Sequence, residues 1–167
     1  MSLFVLSVLV VILFLKLPYF NKNTTQVSTV NYHDILSILP LILPANQIAA
    51  DSIILINFWA PWCAPCIEEF PSLINITEQF PKLILIAISV DATSEEKEKF
   101  LAKFNIKSKK NNNVFFYDDV DSKISTQFAI EKLPETLIFD SNGKFKKKVI
   151  GSLNWSSAEA ITFLKSL

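Results

Sequence analysis

The chain has 167 residues, of which 16 are basic, 16 acidic, half apolar and 12% aromatic, so its formal net charge is zero. This composition is typical of one well-packed domain and excludes a disordered or collagen-like chain. All basic residues are lysines, and without arginine's bidentate guanidinium we expect no nucleic-acid partner. Two glycines are too few for a dinucleotide fingerprint, a P-loop or a nucleophile elbow. One histidine and two cysteines are too few for a structural zinc site, and we expect no metal.

An apolar N-terminal run predicts a signal anchor over residues 1–20. Residues 3–15 are interrupted only by Ser7, and neither an Ala-x-Ala-like cleavage site nor a lipid-accepting cysteine follows them. We therefore expect an uncleaved membrane anchor, with a removed signal peptide and a buried globular helix as the alternatives. Residues 21–31 are polar and lack apolar periodicity, which predicts a tether, so the folded domain is expected over residues 32–167.

The charges beside this anchor conflict with the character of the rest of the chain. Lys16 and Lys22 both follow the apolar run, and the positive-inside rule alone would retain the domain in the cytoplasm. Two lysines are a small bias, and the motifs described below are of an extracytoplasmic type. We therefore expect the domain at the cell membrane on the extracytoplasmic, or periplasmic, side.

The first half of the domain alternates strands and helices. Residues 35–43 are apolar but interrupted by a proline, which favours an extended segment or edge strand over a helix. Residues 53–58 and 83–90 are continuous β-branched runs that predict strands buried on both faces. A helix is expected over residues 63–80, kinked at Pro71.

The second half of the chain predicts a series of shorter elements. In order they are a charged helix at residues 95–104 capped by residues 91–94, a loop at 107–113, a strand at 114–117, a helix at 121–128, strands at 137–140 and 144–150 joined by a turn at Gly143, and a helix at 156–165. This order implies an α/β fold whose mostly parallel sheet ends in an antiparallel hairpin. The last strand is expected to expose a row of lysines, namely Lys144, Lys146, Lys147 and Lys148.

A C-x-x-C motif lies where the first buried strand gives way to a helix. Cys63 is expected at the helix N-terminus, where the unpaired N–H groups and the macrodipole lower a thiol's pKa and raise its nucleophilicity. Cys66 lies one turn further, close enough to attack a mixed disulfide formed at Cys63. The pattern therefore predicts an attacking Cys63 and a resolving Cys66; half of an intermolecular metal site is the alternative.

Two separated motifs carry a resemblance to a known family. The first is NFWAPWCAPC at residues 57–66, with Glu69 and Pro71 at fixed offsets, and the second is LPETLIFD at residues 133–140. In both the chain resembles the thioredoxin superfamily and, within it, the membrane-anchored cytochrome c biogenesis thioredoxins of the TlpA/ResA/DsbE type. The resemblance covers about residues 53–167 and implies a thioredoxin-like fold with a central mixed sheet flanked by helices.

The resemblance also implies how a protein substrate is bound. Pro134 matches a cis-proline beside the cysteines, and the backbone next to it, at Leu133, pairs with the substrate strand in that family. Trp62, beside the nucleophile, is a second candidate substrate contact. The alternatives are a trans turn proline at position 134 and simple rim packing for the tryptophan.

Proton transfer is expected to involve Glu69. Cytosolic thioredoxins have a buried aspartate at the position of Asn57, and relatives of the membrane-anchored type instead use a glutamate that Glu69 matches. Residues three apart share a helix face, so a buried Glu69 with a raised pKa can move the proton of Cys66. The alternative is an ordinary carboxylate on the helix surface, which is what we expect of Glu68.

The function implied by the resemblance is thiol-disulfide exchange. Expected substrates are protein disulfides, including the haem-attachment C-x-x-C-H of apocytochrome c, and a membrane thiol-disulfide donor would recharge a monomeric enzyme. No cofactor is expected beyond the redox-active disulfide of Cys63 and Cys66. The alternatives are a general reductase, a disulfide-forming oxidase, and a copper-binding or redox-inert thioredoxin-fold module. Copper carriers of this fold have C-x-x-x-C with a distal histidine, whereas this chain has only His33.

Overall fold

A computed structural model describes residue 39 and residues 51–90, 93–104 and 113–167. The predicted anchor at residues 1–20 and tether at residues 21–31 lie outside these described residues. Within the described ranges, no helix is both long enough and apolar enough to cross a membrane.

Among the described residues, five strands form a single mixed sheet. They are β1 (Ile53–Trp59), β2 (Leu83–Val90), β3 (Val114–Asp119), β4 (Glu135–Phe139) and β5 (Phe145–Ile150). In the sheet they follow the order β3-β2-β1-β4-β5. The first three strands are parallel, whereas β4 runs antiparallel to both β1 and β5. Every residue of β2 is buried, which explains why all of its residues except Ser89 are apolar.

Four helices that lie within residues 51–167 flank this sheet, counting only the residues that the structure describes. They are α1 (Ala64–Gln79), α2 (Ser94–Lys103), α3 (Lys123–Gln127) and α4 (Ala158–Lys165). The predicted α/β order and the final antiparallel hairpin are confirmed, although β4 begins two residues before the predicted strand. Helix α1 continues through Pro71, and the predicted kink there stays a prediction.

An aromatic cluster joins α1 and α2 to the sheet next to the C-x-x-C segment. The ring centroid of Trp59, at the end of β1, lies 5.1 Å from that of Phe70 and 4.3 Å from that of Phe100. Phe70 contacts Phe100 edge-on at 4.8 Å and stacks on Phe116 of β3 at 6.2 Å. Such contacts add to the stabilisation from apolar burial and help to hold α1 and α2 against the sheet.

The predicted extended segment at residues 35–43 lies outside the described residues except for Leu39, which is helical and buried in the core. One expectation about the last strand is wrong. Lys148 is buried rather than solvated, unlike the exposed Lys144 and Lys146. Its ammonium group forms an ion pair with Glu135 at 2.6 Å, and a buried carboxylate requires such a partner.

Helix α2 begins with a capping box at Thr93. The Thr93 hydroxyl accepts a hydrogen bond from the Glu96 N–H at 3.2 Å, and the Glu96 carboxylate accepts one from the Thr93 N–H at 3.2 Å. We expect Thr93→Ala to lower the free energy of unfolding by about 1 kcal/mol, measured by urea denaturation. Thr93→Ser retains the hydroxyl and should lose much less; equal losses in the two variants would contradict this account.

Candidate active site

The C-x-x-C segment lies between the end of β1 and the first turn of α1. Cys63 has extended backbone angles and is the N-cap of α1, and its sulfur accepts a hydrogen bond from the Cys66 N–H at 3.3 Å. Pro65 occupies the first helical turn, where its missing N–H costs no hydrogen bond. The helix terminus therefore directs the Cys66 N–H at the Cys63 sulfur, an arrangement that favours a thiolate.

The two cysteines form a disulfide. Their sulfur atoms are bonded at 2.04 Å and their Cα atoms lie 5.3 Å apart. Both residues are buried, whereas the neighbouring Trp62 is 62% exposed. Trp62 therefore presents an apolar surface to solvent directly beside the redox pair.

A groove of about 580 Å³ opens over Cys63. Cys63 lines this groove and Cys66 is not among its lining residues, so a sulfur that approaches along the groove meets Cys63. The wall formed by the C-x-x-C segment faces residues of α3 and of the loop before β4. The lining residues are Trp62, Cys63, Ala64, Pro65, Val90, Ser122, Ser125, Thr126, Ile130, Glu131, Lys132 and Leu133.

The sequence-predicted substrate contacts come together at this groove. Trp62 and Leu133 both line it, and the peptide bond between Leu133 and Pro134 is cis, as the resemblance implied. Pro134 itself is buried, and its carbonyl accepts a hydrogen bond from the Gly151 N–H at 2.8 Å. Leu133 therefore lies at the groove, while the adjacent Pro134 is buried and bonded to the backbone of Gly151.

Glu69 is buried in α1, with 4% of its surface exposed, so the alternative of a surface carboxylate is wrong. Its Oε1 accepts hydrogen bonds from Trp155 Nε1 at 2.7 Å and Asn57 Nδ2 at 3.3 Å, and its Oε2 accepts one from the Leu153 N–H at 3.4 Å. Desolvation nevertheless dominates and raises the pKa of Glu69 from 4.5 to about 7. The adjacent Glu68 is exposed, as expected.

A buried polar network connects Glu69 to the strand that follows Pro134. Asn57 Nδ2 also donates to Thr136 Oγ1 at 2.9 Å, because Asn57 and Thr136 are register partners on the antiparallel strands β1 and β4. Sequence reasoning missed Thr136 and Trp155. An asparagine inside an otherwise apolar strand is a signal for such a network, since a buried amide needs partners, but no local pattern points to Trp155.

In the described part of the chain, no group of three or more histidine, cysteine, aspartate or glutamate side chains is arranged to hold a metal ion.

Comparison with known proteins identifies relatives with redox functions. The family model described as "Thioredoxin-like" matches residues 51–145. The chain is 26% identical over 102 residues to the thiol-disulfide oxidoreductase ResA of Geobacillus thermodenitrificans, covering 60% of this chain and 55% of that protein. It is 28% identical over 99 residues to the thiol:disulfide interchange protein HelX of Rhodobacter capsulatus, covering 59% and 52%. The chain spans about half the length of the curated relatives it matches.

Solved structures show the same fold. A secreted disulfide oxidoreductase of Mycobacterium tuberculosis, homologous to E. coli DsbE, aligns with a TM-score of 0.59 at 20% identity, covering 73% of this chain and 86% of that one. The curated relatives confirm the resemblance to the TlpA/ResA/DsbE type, and this solved structure shows the same fold. Since the family model matches more than half of the sequence, the chain belongs to the thioredoxin-like family.

Proposed function

We propose that this protein is a membrane-anchored thiol-disulfide oxidoreductase that reduces disulfides of target proteins outside the cytoplasm. One observation carries the proposal: a Cys63–Cys66 pair sits at the N-terminus of α1 with only Cys63 lining the groove. The names of the relatives ResA and HelX support the same reaction class.

The reaction transfers two electrons from the reduced cysteine pair to a substrate disulfide. The Cys63 thiolate attacks one substrate sulfur and forms a mixed disulfide, while the second substrate sulfur leaves as a thiolate and is protonated. The Cys66 thiolate then attacks the Cys63 sulfur, which expels the first substrate sulfur and closes the Cys63–Cys66 disulfide. The substrate leaves as a dithiol, and the protein is left oxidised.

Glu69 is suited to accept the proton of Cys66 in the second step. A thiol with its ordinary pKa of about 8.5 is mostly protonated at neutral pH and must lose its proton to attack. A base is most effective when its pKa lies close to the working pH, and burial raises the pKa of Glu69 to about 7. Glu69 and Cys66 are three residues apart on α1 and are both buried.

The groove fits an extended peptide that carries an oxidised cysteine pair. Trp62 and Leu133 both line the groove and can offer apolar contacts. By resemblance, the Leu133 backbone would pair with the substrate strand. By resemblance, we propose the C-x-x-C-H segment of apocytochrome c as the substrate and a membrane thiol-disulfide protein as the electron donor. A reduced full-length chain should reduce an oxidised peptide containing C-x-x-C-H in a one-to-one ratio. No release of peptide thiols would contradict the proposal.

Labelling of the two cysteines, which are the only ones in the chain, tests on which side of the membrane the domain lies. Sedimentation of the labelled protein tests its attachment to the membrane. We propose that residues 1–20 anchor the protein and residues 21–31 tether the domain, because residues 3–15 form an apolar run. After reduction of spheroplasts that express the full chain, a membrane-impermeant maleimide should label the protein without lysis, and the labelled protein should sediment with membranes.

A variant without residues 2–20 is the control for this labelling and should react only after lysis. Labelling of the full chain only after lysis would contradict the extracytoplasmic location. Release of the full chain into the soluble fraction would contradict the anchor.

A further inference from the structure

We propose that the buried ion pair between Glu135 and Lys148 positions one wall of the groove and thereby determines how tightly a protein disulfide binds. The wall in question is loop 129–133, the segment between α3 and the cis peptide bond. This inference rests on the proposed function, because it assigns a positioning role within the same site.

The ion pair is buried. Glu135 is the first residue of β4 and is 0% exposed, and Lys148 on the neighbouring strand β5 is 5% exposed. Lys148 Nζ lies 2.6 Å from Glu135 Oε2. Desolvation of both charges offsets much of their attraction, so a buried pair of this kind is weak grounds for a purely stabilising role.

The remaining hydrogen-bonding capacity of the pair is directed at the backbone of loop 129–133. Glu135 Oε1 accepts hydrogen bonds from the Lys132 N–H at 3.0 Å and the Glu131 N–H at 3.3 Å. Lys148 Nζ donates to the Ala129 carbonyl at 2.7 Å. The two charged groups therefore fix the start and the centre of the loop together.

The start of the loop needs this support. Ala129 has a φ of 49°, in the left-handed region that residues other than glycine seldom adopt. Its carbonyl accepts a hydrogen bond from the Lys148 ammonium group, and this bond holds the turn that follows α3 in this conformation. A different backbone at Ala129 would redirect every residue from there to Pro134.

Loop 129–133 forms the groove wall opposite the C-x-x-C segment. Ile130, Glu131, Lys132 and Leu133 all line the groove, whereas Glu135 and Lys148 do not. The ion pair thus reaches a bound substrate only through the loop. Its expected effect is on substrate binding and not on the chemistry of the cysteines.

The test compares a protein disulfide with a small disulfide. In the full-length chain, Lys148→Met should raise the KM for oxidised insulin about tenfold and leave kcat within about twofold of the wild-type value. The reaction of the reduced protein with 5,5′-dithiobis(2-nitrobenzoate), a small disulfide that does not depend on contacts along loop 129–133, should keep its rate. Amide exchange at Glu131 and Lys132 should become at least about tenfold faster.

Two further variants separate positioning from stability. Lys146→Met on the same strand removes a lysine that pairs with Asp140 at 3.6 Å, and it should leave KM and amide exchange unchanged. The double variant Glu135→Leu/Lys148→Met removes both charges, so its melting temperature should recover relative to Lys148→Met. Its KM should nevertheless stay high, because the loop contacts are still missing.

The possible outcomes are distinguishable. A wild-type KM in Lys148→Met, or a KM that recovers together with the melting temperature in the double variant, would overturn the positioning role. A wild-type protein that reacts with neither insulin nor the small disulfide would overturn the proposed function itself, and the binding role with it. That result is read from the wild type alone, before any variant is compared.

Discussion

Replacement of Cys63 by serine is expected to lower insulin reduction to less than about one thousandth of the wild-type rate. Cys63 is the cysteine that lines the groove, and a serine hydroxyl neither attacks a disulfide sulfur at neutral pH nor forms a mixed disulfide. The rate is measured by the turbidity of reduced insulin with dithiothreitol as the electron source. Circular dichroism of the variant verifies that the loss is chemical and not a loss of the fold.

Replacement of Cys66 by serine should have a different consequence. The mixed disulfide on Cys63 then lacks its resolving thiol and accumulates, so non-reducing gels should show a covalent complex with an oxidised substrate peptide. Mass spectrometry of the complex should locate the peptide on Cys63. A complex on Cys66 in the Cys63→Ser variant, with full turnover in Cys66→Ser, would reverse the two roles.

The second large effect is expected for Glu69→Gln, which keeps the shape of the side chain and removes its base. At pH 7 we expect the release of substrate from the mixed disulfide to slow by about 10²-fold, because general bases contribute factors of this size. The wild-type rate of this step should rise as pH increases through about 7, where Glu69 loses its proton. In the variant the rise should move toward the ordinary thiol pKa of about 8.5.

Rapid-mixing kinetics of the reduced protein with an oxidised peptide measure this step directly. Glu68→Gln is the matched control, since Glu68 is the exposed neighbour on the same helix, and its pH profile should equal that of the wild type. A Glu69→Gln profile that coincides with the wild-type profile would refute a role for Glu69 in proton transfer.

The same carboxyl group should make the stability of the oxidised protein depend on pH. The folded pKa of about 7 lies above the ordinary value of 4.5, so the folded state binds the proton more tightly than the unfolded state. Glu69 therefore stabilises the fold fully below pH 4.5, and this contribution is lost as pH rises through 7. The loss amounts to about 3 kcal/mol and should be absent in Glu69→Gln. Urea denaturation at pH 4.5 and pH 8 measures it; parallel changes in both proteins would contradict it.

Local signals in the sequence were sufficient to predict the redox pair. A buried β-branched strand, a proline-containing turn and an apolar pattern at helical spacing meet at Cys63, so the position of the cysteine at the helix N-terminus follows from neighbouring residues. The order of elements along the chain required only the alternation of apolar patterns, because parallel strands need helical crossovers and the last two strands need a short turn. The antiparallel pairing of β4 with β1 was not predicted, since it depends on contacts between distant parts of the chain.

The environment of Glu69 could not be predicted in this way. Its burial depends on Trp155 and Leu153, which are 86 and 84 residues away in the chain. Both lie in the loop after β5. Lys148 shows the same limit, since nothing near it distinguishes it from the exposed Lys146. Only the pairing of β4 with β5 brings Glu135 within reach of one lysine and not the other.

The reduction potential of the Cys63–Cys66 couple tests the proposed function most directly. The full-length chain is equilibrated with glutathione buffers and with a thioredoxin of known potential, and the fraction of disulfide is measured by thiol alkylation. A reductase of protein disulfides is expected to have a potential near that of thioredoxin, about −270 mV. A potential near about −120 mV would mark the protein as an oxidant and contradict the assignment as a reductase.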